Sequence, residues 1–527
     1  MGRTHQSQRW VGLAVVVTGA LAVTSCSSSD DTNSGSKTST TTPVTFTVQA
    51  PTEIASPPVK GDINAPQPDA PLPKGYVEEE FFVGGTATRF AAADTPDSGE
   101  WVAAPAGEKK YRTRVIVRRP ARAEDFSGTV LVEWLNVSAL ESSPDWALMS
   151  EEIGRAGHAY IGVSAQAQGV EGGDTLLDVE VDPDQAKTFG ANPDKSGLKR
   201  INPERYGTLV HPGDAYAFDI FSQVARAVGE KPQQFLRDLE PKQVIAVGES
   251  QSAAFLTTLV NAVHPLDPVF DGFLIHSRGA SGAPLDGAIS RGRGDSNDSS
   301  GIASRAVHVR TDLDVPVMMF ETETDLTLLR YARARQPDTD QVRTWEVAGT
   351  SHADAHFIRS IVGGPRDPGI GSLLNCKDPI NTGPQHEVLQ AALSHLVTWV
   401  ANGAPPPTGA RIKLQDDEPA VIARAEDGIA LGGIRNPLVD VPVAAVSGDP
   451  PGGATNDELR KAGGVCLLFG NTTPFNQTTL VDRYGTAADY LQQFRASADN
   501  AVDDGFLLRP DADKLLAEAE TNQTRFG

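Results

Sequence analysis

From Tyr76 onward the chain alternates between short apolar runs and helical stripes. β-rich runs stand at Glu79–Val83, Thr113–Val117, Thr129–Trp134, Tyr160–Val163, Val244–Val247, Gly272–Ile275, Val315–Phe320 and Thr344–Val347. Several are apolar almost without interruption, as expected of strands covered on both faces. Between them Ala217, Phe218, Phe221, Val224, Ala225 and Val228 recur at helical spacing. Leu389, Ala392, Leu393, Leu396, Val397 and Val400 do the same after the last run. The pattern predicts an α/β fold with a mostly parallel sheet and helices on both faces.

Before Tyr76 this order is missing. Arg3 and Arg9 precede an apolar run from Val11 to Val23, too short to span a bilayer and shaped like a secretory signal. The run ends in Val23-Thr24-Ser25-Cys26, which looks like a lipobox, so cleavage and acylation at Cys26 are expected, with ordinary secretion as the alternative. Ser/Thr-rich and then Pro-rich sequence follows, read as a tether because it holds too little apolar surface to offset chain entropy. The expected organisation is therefore a signal peptide over 1–25, a tether over 26–75 and a catalytic body over 76–527, with a C-terminal extension from about Gly403. The expected location is extracytoplasmic, lipid-anchored at the cell membrane.

The most informative stretch is Lys242 to Ser252, in which a strand runs into Gly248-Glu249-Ser250-Gln251-Ser252 and an apolar helix follows. That strand–turn–helix context is what a nucleophile elbow requires. Small residues belong two before and two after the serine, because strand and helix backbones pack closely there. Gly248 meets that need fully and Ser252 less well. Ser250 is the candidate nucleophile.

A serine hydroxyl needs a base, and the base an orienting acid. In this order of elements the acid comes before the histidine. Pro316 to Asp325 is a strand opening into an acidic turn, which favours Asp325, with Glu323 as runner-up and Glu321 third. Trp345 to His352 is the next strand, with a Gly-containing loop that ends on His352, the candidate base. His356 is the rival imidazole, and His352-Ala-Asp-Ala-His356 also invites a metal reading. No second cluster of ligands supports that reading, so neither metal nor cofactor is expected. Oxyanion donors are expected at the Gln251 amide and in the Asn136–Val137 region after the third long run.

Charge and cysteine count narrow the partners. Lys and Arg number 46 against 68 Asp and Glu, for a formal charge of −22. Loss of Arg3 and Arg9 with the signal would make it −24. Such a surface excludes a phosphate-tracking nucleic-acid binder, and membrane contact is expected only through the N-terminal anchor. A neutral small-molecule or lipid ester is favoured over an anionic substrate, unless Arg118, Arg119 and Arg122 form a local basic patch. With Cys26 acylated, Cys376 and Cys466 remain for a disulfide, two separate buried thiols being the alternative. Two excursions, Gln168 to His211 and Ala280 to Ala303, are candidates for shaping the pocket.

Several segments resemble the bacterial alpha/beta hydrolase domain-containing proteins. They include Tyr111–Pro120, Gly128–Ser138, Gly162–Gln166, Tyr206–Asp214, Gly248–Ser252, Asp271–Arg278, Ala348–Asp354, Pro379–Pro384 and Gly432–Pro437. The resemblance runs from about Tyr76 to the C-terminus and implies the α/β-hydrolase fold, a serine nucleophile at Ser250 and a base at His352. It also implies that Gly-x-Ser-x-Ser is acceptable at the elbow. It carries no substrate, since one fold and triad serve many reactions. The expected activity is hydrolysis of carboxylic esters through an acyl-enzyme. Acyl transfer to an envelope carbohydrate or lipid is the second reading, and a non-catalytic binding protein on a hydrolase scaffold the third.

Overall fold

The computed structural model describes residues 46–64, 70–173, 197–288, 304–362, 366–374, 376, 378–450 and 465–526, all within one unit, Thr45–Gly527. The signal, Cys26 and the start of the tether lie outside the described residues, as does most of both excursions.

The strands are β1 (Glu53–Ala55), β2 (Tyr76–Ala92), β3 (Ala103–Pro120), β4 (Thr129–Trp134), β5 (Ala159–Val163), β6 (Gln243–Glu249), β7 (Gly272–His276), β8 (Val317–Glu321) and β9 (Val342–Glu346). They form one sheet in the order β1-β2-β3-β5-β4-β6-β7-β8-β9. The strands from β5 to β9 in that order pair parallel, and the β1, β2 and β3 end is antiparallel.

Strand periodicity explains the two-sided core. Val130, Val132, Trp134, Ala246, Phe273 and Ile275 face helix Ala217–Glu230 and helix Gln251–Thr258. Leu131, Ile245, Val247, Leu274, Met318 and Phe320 face the other way, onto helices Pro144–Ala156 and Gln385–Asn402. Both faces are apolar, so the runs need no polar alternation.

Two features depart from the expected boundaries. The β2–β3 hairpin extends well past Glu79–Val83 and Thr113–Val117, through a stretch where Glu108, Lys109 and Lys110 are solvent-facing. The sheet also begins inside the segment read as tether: β1 pairs antiparallel with β2, and Phe46 packs edge-on against Phe90 at 5.0 Å. A few apolar anchors, Phe46, Val48 and Ile54, hold this Pro- and Ser-rich segment to the body.

The C-terminal extension builds its own apolar cluster from helices Gln477–Tyr484, Ala487–Asp503 and Arg509–Thr521, centred on Leu480, Tyr490, Phe494 and Leu515. Ion pairs Arg155–Asp511 and Lys514–Glu151 tie it to helix Pro144–Ala156. Cys376 and Cys466 form a disulfide with their Cα atoms 5.5 Å apart. Closing a loop of that size is worth about 4.6 kcal/mol in the chain-entropy account.

Candidate active site

Strand β6 ends at Glu249, and Ser250 takes a backbone conformation of φ 60°, ψ −116° before helix Gln251–Thr258 begins. A non-glycine residue there costs on the order of 1–3 kcal/mol, a strain typical of functional turns. The amide of Ser250 donates to the His276 carbonyl at 2.9 Å, which fixes the turn to the end of β7. A Cβ added at Gly248 would lie 3.0 Å from Leu256 and 3.2 Å from the Ser252 Cβ. Ser252 therefore fits at the second small position because Gly248 leaves it the room.

Asp325 and His352 meet the serine from the segments that follow β8 and β9. His352 Nε2 lies 2.8 Å from Ser250 Oγ, and His352 Nδ1 lies 2.6 Å from Asp325 Oδ1. The other Asp325 oxygen accepts from the Thr322 amide and hydroxyl, both at 2.7 Å. Thr322 is the N-cap of helix Glu323–Thr327, and Asp325 closes a capping box with it. The Asp325 carboxylate is thus oriented by the first turn of its own helix.

The two competing acids have different surroundings. Glu323 accepts from the Gly349 amide, the Gly448 amide and Arg424, clasping the histidine loop to the C-terminal extension. Glu321 is fully buried, neither carboxylate oxygen has a hydrogen-bond partner among the described residues, and burial, then the Asp325 charge, pushes its carboxyl well above the usual range. His356 stands away from the serine: its ring stacks on His386 at 3.4 Å and accepts from Arg359 at 2.8 Å.

The oxyanion candidates divide. The Asn136 amide donates to the Ser142 carbonyl at 2.9 Å, in a backbone bridge that leaves it no free hydrogen. Its carboxamide donates instead to the carbonyl and side chain of Glu249, at 3.0 and 3.2 Å. The Val137 amide donates to the Gln251 side chain at 3.1 Å, and the Gln251 amide lies at the helix start beside Ser250.

Sequence reasoning passed over three neighbours. Glu249 Oε1 lies 3.1 Å from His352 Nε2. Gln385 donates to the His352 carbonyl and to His276 Nε2, each at 3.3 Å. His276 Nδ1 in turn meets Asp145 at 2.9 Å. None of these contacts carries a local sequence signal, since the partners stand 33 to 131 residues apart except at the elbow itself.

Charge follows the contacts. Burial alone would lower the His352 imidazole, yet Glu249 and Asp325 hold it up at about 9. Burial pushes Glu249 up to about 7 against the pull of His352 and His276. The three arginines considered as a local basic patch are each paired with acids: Arg118 with Glu78, Arg119 with Glu79, and Arg122 with Glu124 and Asp125.

No curated protein matches the chain. Among solved structures it is similar to a fungal esterase from Rhizomucor miehei, at 12% identity over 64% of this chain and 87% of that one, with a TM-score of 0.29. Esterase B from Lactobacillus rhamnosis is similar at 11% identity over 58% and 85%, TM-score 0.29. Acetyl xylan esterase 1 from a Thermoanaerobacterium species matches at 11% over 54% and 80%, TM-score 0.27. Likenesses this low carry no conclusion about chemistry. The family model described as "Alpha/beta hydrolase domain" matches residues 35–517, taking in β1 and the C-terminal helices as well as the sheet and the elbow. The chain belongs to the alpha/beta hydrolase domain family.

Proposed function

We propose that this protein is a serine hydrolase of carboxylic esters. Ser250 Oγ attacks the ester carbonyl while His352 Nε2 takes its proton, and Asp325 holds the imidazole by Nδ1. The oxyanion is received by the amides of Gln251 and Val137, the latter giving up its bond to the Gln251 carboxamide. His352 then protonates the leaving alcohol, and water on the same base releases the acid. The observation that carries this reading is the continuous pair of short contacts, 2.8 Å from Ser250 to His352 and 2.6 Å from His352 to Asp325, at a strained elbow. Hydrolysis of p-nitrophenyl esters of graded chain length tests it. Turnover that Ser250→Ala abolishes is expected, and turnover that survives the substitution contradicts it.

The run ending at Cys26 supports a lipid-anchored, extracytoplasmic location. The Cys376–Cys466 bond fits an oxidising compartment. Metabolic labelling with a fatty acid should mark the wild type and not Cys26→Ser, and equal labelling of both would refute the anchor.

A further inference from the structure

We infer that Glu249 is a second acidic partner of the active-site base, sharing one proton with His352 across Nε2 and delaying the release of a free imidazole as pH rises. This rests on the triad reading above and adds a group to it.

The geometry is built rather than incidental. Glu249 sits one residue before the nucleophile, is 7% exposed, and brings Oε1 to 3.1 Å from the nitrogen that also faces Ser250 Oγ. Asn136 holds it from behind: its carboxamide nitrogen donates to both the Glu249 carbonyl and Oε2. The Asn136 carboxamide oxygen accepts from the Ser138 amide at 2.8 Å, so the clamp itself is oriented. The ionisable groups facing Glu249 are His352, His276 at the end of β7, Asp145 on helix Pro144–Ala156, and Asp325 after β8.

Two carboxylates therefore flank one imidazole, Asp325 on Nδ1 and Glu249 beside Nε2. With one proton on the Glu249–His352 pair, the site has no base for the serine. Either the imidazolium has no lone pair, or protonated Glu249 donates to the lone pair that Ser250 needs. Loss of that proton to solvent frees Nε2. During attack the Ser250 proton moves to Nε2 as the Oγ–carbon bond forms and the carbonyl π pair moves to oxygen. The new imidazolium then has a carboxylate at each nitrogen, which favours the charged transition state. The same contact opposes activity at low pH and assists the chemistry at high pH.

The test is the pH profile of kcat/KM for wild type and Glu249→Gln, with the His352 ring titrated by NMR in both. The variant should lose its acid limb about one pH unit or more below wild type, a tenfold or greater drop in proton affinity. Its limiting kcat should fall several-fold, and the NMR titration should move with the kinetic limb. Glu249→Asp, whose carboxylate draws back from Nε2, should shift both in the same direction by less, and it serves if the Gln variant does not fold. Superimposed profiles, or a shift to higher pH, overturn the proposal. Ester turnover that persists in Ser250→Ala would instead refute the triad. The NMR titration decides the role of Glu249 even in the absence of turnover.

Discussion

His352 and His276 each carry an aspartate on Nδ1, and one glutamine, Gln385, touches both residues, yet the two pairs hold charge in opposite ways. Asp325 has its far oxygen covered by two Thr322 donors, and a second carboxylate stands at the far nitrogen of its histidine. Asp145 has no donor on its far oxygen among the described residues and lies near Glu133, whose carboxyl is pushed well above its ordinary range by burial and then by Asp145. Burial lifts Asp145 itself to about 8 and drops His276 to about 4. Near neutral pH the acids around His352 favour a proton on the His352–Glu249 pair, whereas burial favours the neutral form of both His276 and Asp145. A His–Asp contact alone thus does not make a base. Donors around the carboxylate and the count of nearby acids decide which pair can take a proton.

The largest difference should appear when each aspartate is amidated. Asp325→Asn leaves the wrong tautomer facing the serine, and kcat should fall by about 10⁴. Asp145→Asn removes an acid that is already protonated at neutral pH, so turnover should stay within about tenfold of wild type. Equal losses in both variants, measured at one pH, would erase the distinction.

The next difference lies in acid stability. His276 is neutral in the folded state down to about pH 4, while the unfolded chain protonates it below its ordinary value of 6.5. Stability from this group is therefore intact above 6.5 and drains as pH falls toward 4, by about 3 kcal/mol in total. His276→Asn, which keeps a nitrogen near Asp145, should flatten that part of a denaturation series run from pH 7 to 4. His352 runs the other way: its raised value adds stability at low pH that is lost as pH climbs through about 9.

A smaller effect should come from Glu323→Gln. It weakens the clasp to Arg424 while Arg424 keeps Asp449, so about 2 kcal/mol of stability should go. Turnover per folded molecule should stay within tenfold, whereas a loss matching that of Asp325→Asn would reassign the acid. Gln385→Leu should be milder still. It removes the shared amide from both histidines, and a few-fold fall in kcat with a loss of about 1 kcal/mol is expected from one hydrogen-bonding group. An unchanged pH profile for both kinetics and unfolding would show that the two pairs are independent.

Much of this was legible in the chain. The strand from Val244 and the apolar helix after it framed Ser250, because a buried parallel strand reads as an uninterrupted apolar run. Asp325 stands just past the end of an apolar strand, which favoured it over Glu323 and Glu321, and the capping box with Thr322 that orients it emerged only in the structure. What stayed hidden is long-range or sparse. β1 is three residues in Pro- and Ser-rich sequence, and its hold depends on Phe46 and Ile54 meeting a core assembled elsewhere. Glu249 occupies the motif position that accepts any residue, and only the fold brings His352 to it. Asn136 was read for its amide, but a bridge to Ser142 occupies that amide and its side chain serves Glu249.

The most direct test of the serine chemistry is covalent labelling by a fluorophosphonate, with the adduct located by peptide mass. A single phosphonyl group on Ser250 is expected in wild type, with slowed labelling in His352→Ala and none at this residue in Ser250→Ala. An adduct on another serine, or wild-type protein that stays unlabelled under conditions that label a known serine esterase, would contradict the account.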